Sequence, residues 1–135
     1  MQSSDGTGEI DRFVERWLRT YAAGDAAEIR QFYHAPLLAI FPGRLEWLRS
    51  EAEIEALLSE LRIDVPDCDA ADCGVESLRV HPLTETDALV SGSWVRTDAS
   101  GATTDRVTFT DVVHRTDDGW RIVVAVAHPP ENVLR

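Results

Sequence analysis

The acidic residue best placed for acid–base chemistry is Asp111, within the alternating run Val107-Thr-Phe-Thr-Asp-Val-Val113. Alternate residues of a strand share a face, so Asp111 lies beside Phe109 and Val113. A carboxyl group among apolar side chains is desolvated, which raises its pKa toward the range useful to a general acid or base. We expect Asp111 to be catalytic. The alternative is a rim aspartate paired with an arginine or a tyrosine hydroxyl.

His128 is the second residue with possible acid–base chemistry. It ends the last predicted strand before Pro129-Pro130, and the register predicted below puts it on the same face as Asp111. There it can orient Asp111 or bind a ligand. The alternative is a histidine that only hydrogen-bonds backbone at a strand end.

Large aromatic side chains lie on the apolar faces around this acid. The predicted ligand-binding residues are Trp17, Tyr21, Trp47, Trp94 and Phe109. Aromatic residues on apolar faces are usually core. Cavity volume distinguishes the two readings, because a site of roughly 300 Å³ or more admits a ligand and a collapsed core does not.

No pattern in the sequence predicts a metal or a cofactor. A calcium loop needs oxygen ligands at alternate positions and a closing glutamate, a register absent from the acidic stretch with Asp67, Asp69 and Asp72. Three further histidines fall on different elements, which disfavours a shared zinc site; they are His34, His81 and His114. The two cysteines, Cys68 and Cys73, are expected to be reduced, and a disulfide between them is the alternative.

Composition restricts the class of partner. The chain has 135 residues, with 24 acidic residues against 13 basic ones and a net charge of -11. Polyanions are repelled by such a surface, so we expect no nucleic-acid partner. No apolar run approaches the ~20 residues of a membrane span, and the N-terminus has no signal-peptide pattern. We expect no membrane contact and a cytoplasmic location.

Three helices are predicted in the first half of the chain. Residues 9–23 are amphipathic with a helical period. Asp25 and Glu28 form a capping box for a short second helix, which is expected to turn Phe32 and Tyr33 inward and to stop before Pro36. A second capping box, at Ser50 and Glu53, begins the third helix.

The other elements are predicted strands, at residues 37–41, 44–49, 75–81, 87–97, 103–115 and 120–127. Residues 64–74 are predicted to form the longest loop. We expect one domain over residues 1–135, with a flexible N-terminus at 1–8 and a tail at 129–135.

Turn lengths predict the register of the last hairpins. Val95 is expected opposite Thr104, and Val113 opposite Ile122. The inner face then carries Asp111 and His128. The reverse face has an apolar strip that predicts a homodimer through the outer sheet; the strip comprises Val112, Val123, Ala125 and Ala127.

The order of elements resembles the nuclear transport factor two-like superfamily, and in particular its SnoaL-like branch. The most specific pieces are Tyr21-Ala-Ala-Gly-Asp25 and the closing Asp117-Asp-Gly-Trp-Arg-Ile122. The resemblance implies an α+β fold, a cone of curved mixed or antiparallel sheet with about five to six strands. Three helices close the cone around an apolar pocket.

The resemblance implies several functions, since members include isomerases, cyclases, hydrolases and dehydratases as well as pockets with no known reaction. The first hypothesis is a small-molecule protein, acting without a cofactor by proton transfer on an apolar or carbonyl-bearing substrate. The second is a non-catalytic dimeric module that binds a ligand or associates with protein. Leu37–Phe41 lacks the ketosteroid isomerase base, and the last strand lacks a second epoxide-hydrolase aspartate, so these two reactions are disfavoured.

Overall fold

A computed structural model describes residues 2–63 and 73–128. The elements are α1 (Gln2–Ala23), α2 (Ala26–Arg30), β1 (Tyr33–Phe41), β2 (Arg44–Leu48), α3 (Glu51–Ile63), β3 (Cys73–Pro82), β4 (Asp87–Thr97), β5 (Thr103–Thr116) and β6 (Gly119–Val126). Among these, no helix is both long and apolar enough to cross a membrane. The predicted α+β class is confirmed.

The six strands form one curved, unclosed sheet in the order β2-β1-β6-β5-β4-β3. β1 runs parallel to β6 and all other neighbours are antiparallel. The inner face of the sheet packs against the helices, because both present apolar side chains that burial stabilises. The most deeply buried large side chains include Phe13, Ile29, Leu37, Ile54 and Ile122.

Helix α1 presents its predicted apolar stripe to the core but begins earlier than predicted, at Gln2. The Asp25 capping box of α2 is confirmed: Glu28 N–H donates to Asp25 Oδ1 over 2.9 Å, and Asp25 N–H donates to Glu28 Oε1 over 3.0 Å. At α3, Glu53 N–H donates to Ser50 Oγ as predicted, over 3.2 Å.

The prediction that Phe32 and Tyr33 belong to α2 is wrong. α2 ends at Arg30 and β1 begins at Tyr33. Ile122 N–H donates to Phe32 O over 2.8 Å, and Tyr33 pairs with Ile122 of β6. Pro36 has no N–H to donate, and the β1–β6 pairing is irregular between Tyr33 and Leu38. The proline is therefore accommodated within a strand instead of marking a helix end.

The β4–β5 hairpin keeps its predicted faces in a shifted register. Val95 lies opposite Arg106, not Thr104, with an irregularity between Arg96 and Thr97. A displacement by two residues leaves each side chain on its original face, because the side-chain period of a strand is two.

The β5–β6 hairpin reverses faces part-way along. Val113 pairs with Ile122 as predicted, but a bulge follows and Val112 pairs with Val124. An extra residue on one strand exchanges inward and outward positions beyond it. Ala125 and Ala127 therefore line the cavity inside the sheet. The prediction that these two alanines form the outer dimer strip is wrong.

The apolar outer surface instead spans β2, β1, β6 and β5. Leu38 pairs with both Trp47 and Val124, and Ile40 pairs with both Leu45 and Val126. Directly paired residues point to the same side, and the neighbours of Leu38 and Ile40 in β1 face the core. We call this surface the outer apolar patch; it consists of Leu38, Ile40, Leu45, Trp47, Val112, Val124 and Val126.

The predicted acidic loop falls mostly outside the described residues, together with Cys68 and with Asp67, Asp69 and Asp72. Within residues 2–63 and 73–128, no group of three or more His, Cys, Asp or Glu side chains is arranged to hold a metal ion.

Candidate functional site

A cavity of about 100 Å³ lies between the helices and the inner face of the sheet. Its walls come from α1, α3 and the inward residues of β1, β4, β5 and β6, and they are almost entirely apolar. The side chains with polar atoms among them are few: Trp17, Tyr21, Tyr33, Trp94, Thr108 and Asp111.

Aromatic rings form much of the wall. Trp17 contacts Phe109 edge to face with centroids 5.1 Å apart, and Tyr33 in the same manner at 6.3 Å. Tyr21 of α1 and Trp94 of β4 form another such pair at 6.4 Å. Edge-to-face contact is one of the favoured arrangements of aromatic pairs, so these contacts stabilise the packing of the wall.

Asp111 is buried in this wall, with 2% of its surface exposed. Val126 N–H donates to Asp111 Oδ1 over 3.0 Å. Burial raises the pKa of Asp111 to about 8, and the Val126 hydrogen bond offsets only part of that effect. The carboxyl group is thus mostly protonated at neutral pH, as predicted for a desolvated acid.

The position of Asp111 depends on a gap in the sheet. Regular β5–β6 pairing stops at Val112–Val124, and one isolated bridge joins Phe109 to Ala127 further along. Between these points, the Asp111 side chain accepts a hydrogen bond from the N–H group of Val126 in β6. In regular pairing, a backbone carbonyl oxygen of β5 would accept that hydrogen bond. The carboxyl group is therefore held at one oxygen, with the other available to the cavity.

Tyr33 is a pocket residue that the sequence reasoning missed. Trp17 Nε1–H donates to the Tyr33 hydroxyl oxygen over 3.1 Å. Burial, and next the charge of Asp111, raise the pKa of Tyr33 well above its ordinary value. The Tyr33 hydroxyl therefore stays protonated. Because its oxygen already accepts a hydrogen bond from Trp17, its own O–H group can donate a hydrogen bond to another acceptor.

A signal for Tyr33 was present in the sequence. Alternate residues from Tyr33 to Phe41 are apolar or aromatic, which is a strand period through Pro36. The prediction that Pro36 ends a helix is incompatible with this alternation, so Tyr33 was assigned to the helix and not to the strand.

Two predicted site residues lie elsewhere. Trp47 is 51% exposed in the outer apolar patch, so it does not line the cavity. His128 Nε2 lies 2.7 Å from Thr110 Oγ1, and Thr110 points to the face opposite Asp111. The prediction that His128 shares the inner face with Asp111 is wrong, because the β5–β6 bulge exchanges the faces beyond Val113.

The cavity volume of about 100 Å³ falls below the roughly 300 Å³ expected of a site that admits a ligand, so by volume alone the cavity is closer to the core reading. Any ligand of the site must therefore be compact, with few heavy atoms. Among the described residues, its lining offers one carboxyl group, that of Asp111, and the hydroxyl groups of Tyr21, Tyr33 and Thr108.

Solved structures of other proteins have a fold similar to that of this chain. An NTF2-like protein with a cystatin-like fold from Novosphingobium aromaticivorans is 17% identical, with a TM-score of 0.69, over 97% of this chain and 86% of that one. A protein from Streptomyces avermitilis described as a putative dehydratase of the NTF2-like family is 15% identical, with a TM-score of 0.68 and coverage of 93% and 97%. The association domain of CaMKII from C. elegans is 14% identical, with a TM-score of 0.69 and the same coverage, 93% and 97%.

At these identities the likeness concerns the fold alone. No curated protein matches the sequence significantly. A family model described as NTF2-like protein (DUF6841) matches residues 8–130. The match spans most of the chain, and the chain belongs to this NTF2-like family.

Proposed function

We propose that the chain is a small-molecule pocket protein in which Asp111 exchanges a proton with a compact, mostly apolar ligand. The observation that carries this proposal is the buried carboxyl group of Asp111, which is the single carboxyl group among the described residues that line a mostly apolar cavity. A titratable group whose pKa is moved toward neutrality inside a cleft is a recognised indicator of a functional site.

Proton transfer is the chemistry these residues support. A carboxyl group with a pKa of about 8 can give up and take back a proton near neutral pH. Acid–base catalysis is most efficient when the pKa of the catalytic group lies near the working pH. Tyr33 supplies a neutral hydrogen-bond donor close to it. An isomerisation or a dehydration can proceed by transfer of one proton within a dry pocket. Neither reaction then requires a cofactor.

Carboxyl titration tests the proposal. The ¹³C shift of the Asp111 carboxyl group is followed from pH 2.5 to 10, alone and with a panel of small ketones, alcohols and amines. We expect an apparent pKa near 8 that at least one compound displaces. Asp118, which is exposed in the β5–β6 turn, is the internal control. A midpoint near 4, or a titration that no compound perturbs, contradicts the proposal.

Catalysis is tested separately from binding. Exchange of the α-protons of a ketone from the panel is followed by NMR in D₂O, with Asp111→Asn and the surface control Asp118→Asn. We expect exchange with the native chain and with Asp118→Asn, and its loss with Asp111→Asn. Equal exchange in all three proteins contradicts catalysis by Asp111.

Self-association is a second proposed function, supported by the outer apolar patch. Leu45 is 67% exposed and Trp47 51% exposed, and both belong to this continuous apolar surface. Exposed apolar patches on soluble proteins mark interaction sites, and a twofold dimer buries one patch against its copy. We propose a homodimer through this face.

A further inference from the structure

We propose that the ligand of the pocket is a compact apolar amine, held as an ammonium ion against the carboxylate of Asp111 and the surrounding aromatic rings. This inference rests on the proposed function, because it takes the same pocket and the same proton. It adds the identity of the atom that receives that proton, a basic nitrogen.

The charge of the cavity wall is the first reason. Asp111 is the one carboxyl group among the described residues that line the cavity, and no arginine or histidine is among them. An anionic ligand would meet an acid with no compensating cation, which is costly in a dry site. A cation is the complement of this wall, and the net charge of -11 attracts cations toward the protein.

The aromatic wall is the second reason. Six aromatic residues line the cavity together with the acid, namely Trp17, Tyr21, Tyr33, Phe41, Trp94 and Phe109. The faces of such rings carry negative partial charge, so they attract a cation most strongly where water is excluded. The same rings cover the alkyl part of an amine, and none of them carries the positive charge that would compensate a carboxylate or phosphate in a dry site.

The direction of proton transfer follows from the pKa values of Asp111 and of the amine. The empty pocket keeps the proton of Asp111 at pH 7, because burial disfavours the carboxylate. An alkyl amine is a stronger base, with a pKa near the ~10.4 of a lysine side chain. When a neutral amine enters, the Asp111 O–H bond breaks and an N–H bond forms on the ligand. When an ammonium ion binds from solution, Asp111 releases its proton to water.

The geometry around Asp111 suits the resulting ion pair. Val126 N–H still donates to one carboxylate oxygen, and the ammonium group takes the other. A buried ion pair is tolerated when its remaining hydrogen-bonding positions are satisfied. The Tyr33 hydroxyl is a further polar group of the same wall.

The test compares three ligands of one shape: 3-methylbutylamine, 3-methylbutan-1-ol and 3-methylbutanoate. Binding is measured by calorimetry in two buffers of different ionisation enthalpy, which reports the protons released. At pH 7 we expect the amine to bind at least about tenfold more tightly than the alcohol, with nearly one proton released. The carboxylate should not bind. Amine affinity should rise about tenfold per pH unit and level off near the pKa of Asp111, as linkage requires.

Variants separate this inference from the proposed function. Asp111→Asn should bind the amine no more tightly than the alcohol, because an ammonium ion would have no counter-charge in a dry site, whereas Asp118→Asn should behave as the native chain. If the alcohol binds as tightly as the amine to the native chain, the ammonium inference is wrong and the pocket proposal stands. If none of the three ligands binds, the proposed function fails and this inference with it. The pH dependence of the native chain decides the matter even where Asp111→Asn does not fold.

Discussion

At the scale of single residues, Asp111 combines a structural role with its proposed chemical one. Its carboxyl group accepts the Val126 N–H across the gap between β5 and β6, so its position does not depend on a ligand. Its burial costs stability whenever it is ionised, because the charged form is poorly solvated. The two roles predict different responses to pH and to mutation.

Asp111→Asn should make stability less sensitive to pH. The folded pKa of about 8 exceeds the unfolded value of 3.8, so between these values only the folded chain holds the proton. The native protein therefore loses stability as pH rises from about 4 to about 8, by up to roughly 1.4 kcal/mol per pH unit. Asparagine keeps the acceptor for Val126 N–H and has no ionised form.

Thermal melts at pH 5 and pH 8.5 check this prediction. The difference in Tm between Asp111→Asn and the native chain should shift in favour of the variant at the higher pH. Asp118→Asn should show no such shift. A pH dependence shared equally by the native chain and Asp111→Asn would mean that Asp111 is not the buried acid described here.

Tyr33→Phe should destabilise the fold by leaving the Trp17 indole N–H without its acceptor. An unsatisfied buried donor costs about 1–3 kcal/mol. Adding Trp17→Phe removes the orphaned donor, so the double variant should lose less than the sum of the two single variants. Chemical denaturation of the four proteins measures the coupling, and strict additivity would show that the hydrogen bond contributes nothing.

At the scale of elements, the close approach of β3 and β4 requires a glycine. A Cβ at Gly92 would collide with the carbonyl oxygen of Ser77 and lie 3.3 Å from Phe109 Cζ. The backbone of β3 cannot yield easily there, since Leu78 pairs directly with Gly92.

Gly92→Ala should therefore destabilise the sheet by about 1–3 kcal/mol, the usual cost of overpacking. Gly74→Ala in β3 is a matched control, because nothing lies within 4 Å of a Cβ built there. Urea denaturation should place the control within about 0.5 kcal/mol of the native chain. Equal effects of the two substitutions would refute the close β3–β4 contact.

At the scale of the whole molecule, the outer apolar patch predicts a homodimer. Light scattering at micromolar concentration should give twice the chain mass of 15.0 kDa. Trp47→Asp should convert the dimer to monomer, because it places a charge within the buried patch. Leu83→Asp is the control, since Leu83 is 58% exposed in the turn between β3 and β4, away from the patch. A monomeric native chain would overturn the proposed dimer.

Local patterns in the sequence determined much of the fold. The apolar stripe of α1, the Asp25 capping box, the six strands and the α+β class all follow from side-chain period and turn chemistry, which act within a few residues. The burial of Asp111 could likewise be predicted from the sequence, because Phe109 and Val113 flank it at the spacing of residues that share one face of a strand.

Only the tertiary structure decided which residues accompany Asp111. A bulge between Val112 and Val113 exchanged the faces of β6, which took His128 out of the site and brought Ala125 into it. Pairing with β6 likewise drew Tyr33 into a strand and into the pocket. Bulges and strand pairings depend on backbone partners distant in sequence, and one residue of register reverses every face beyond it.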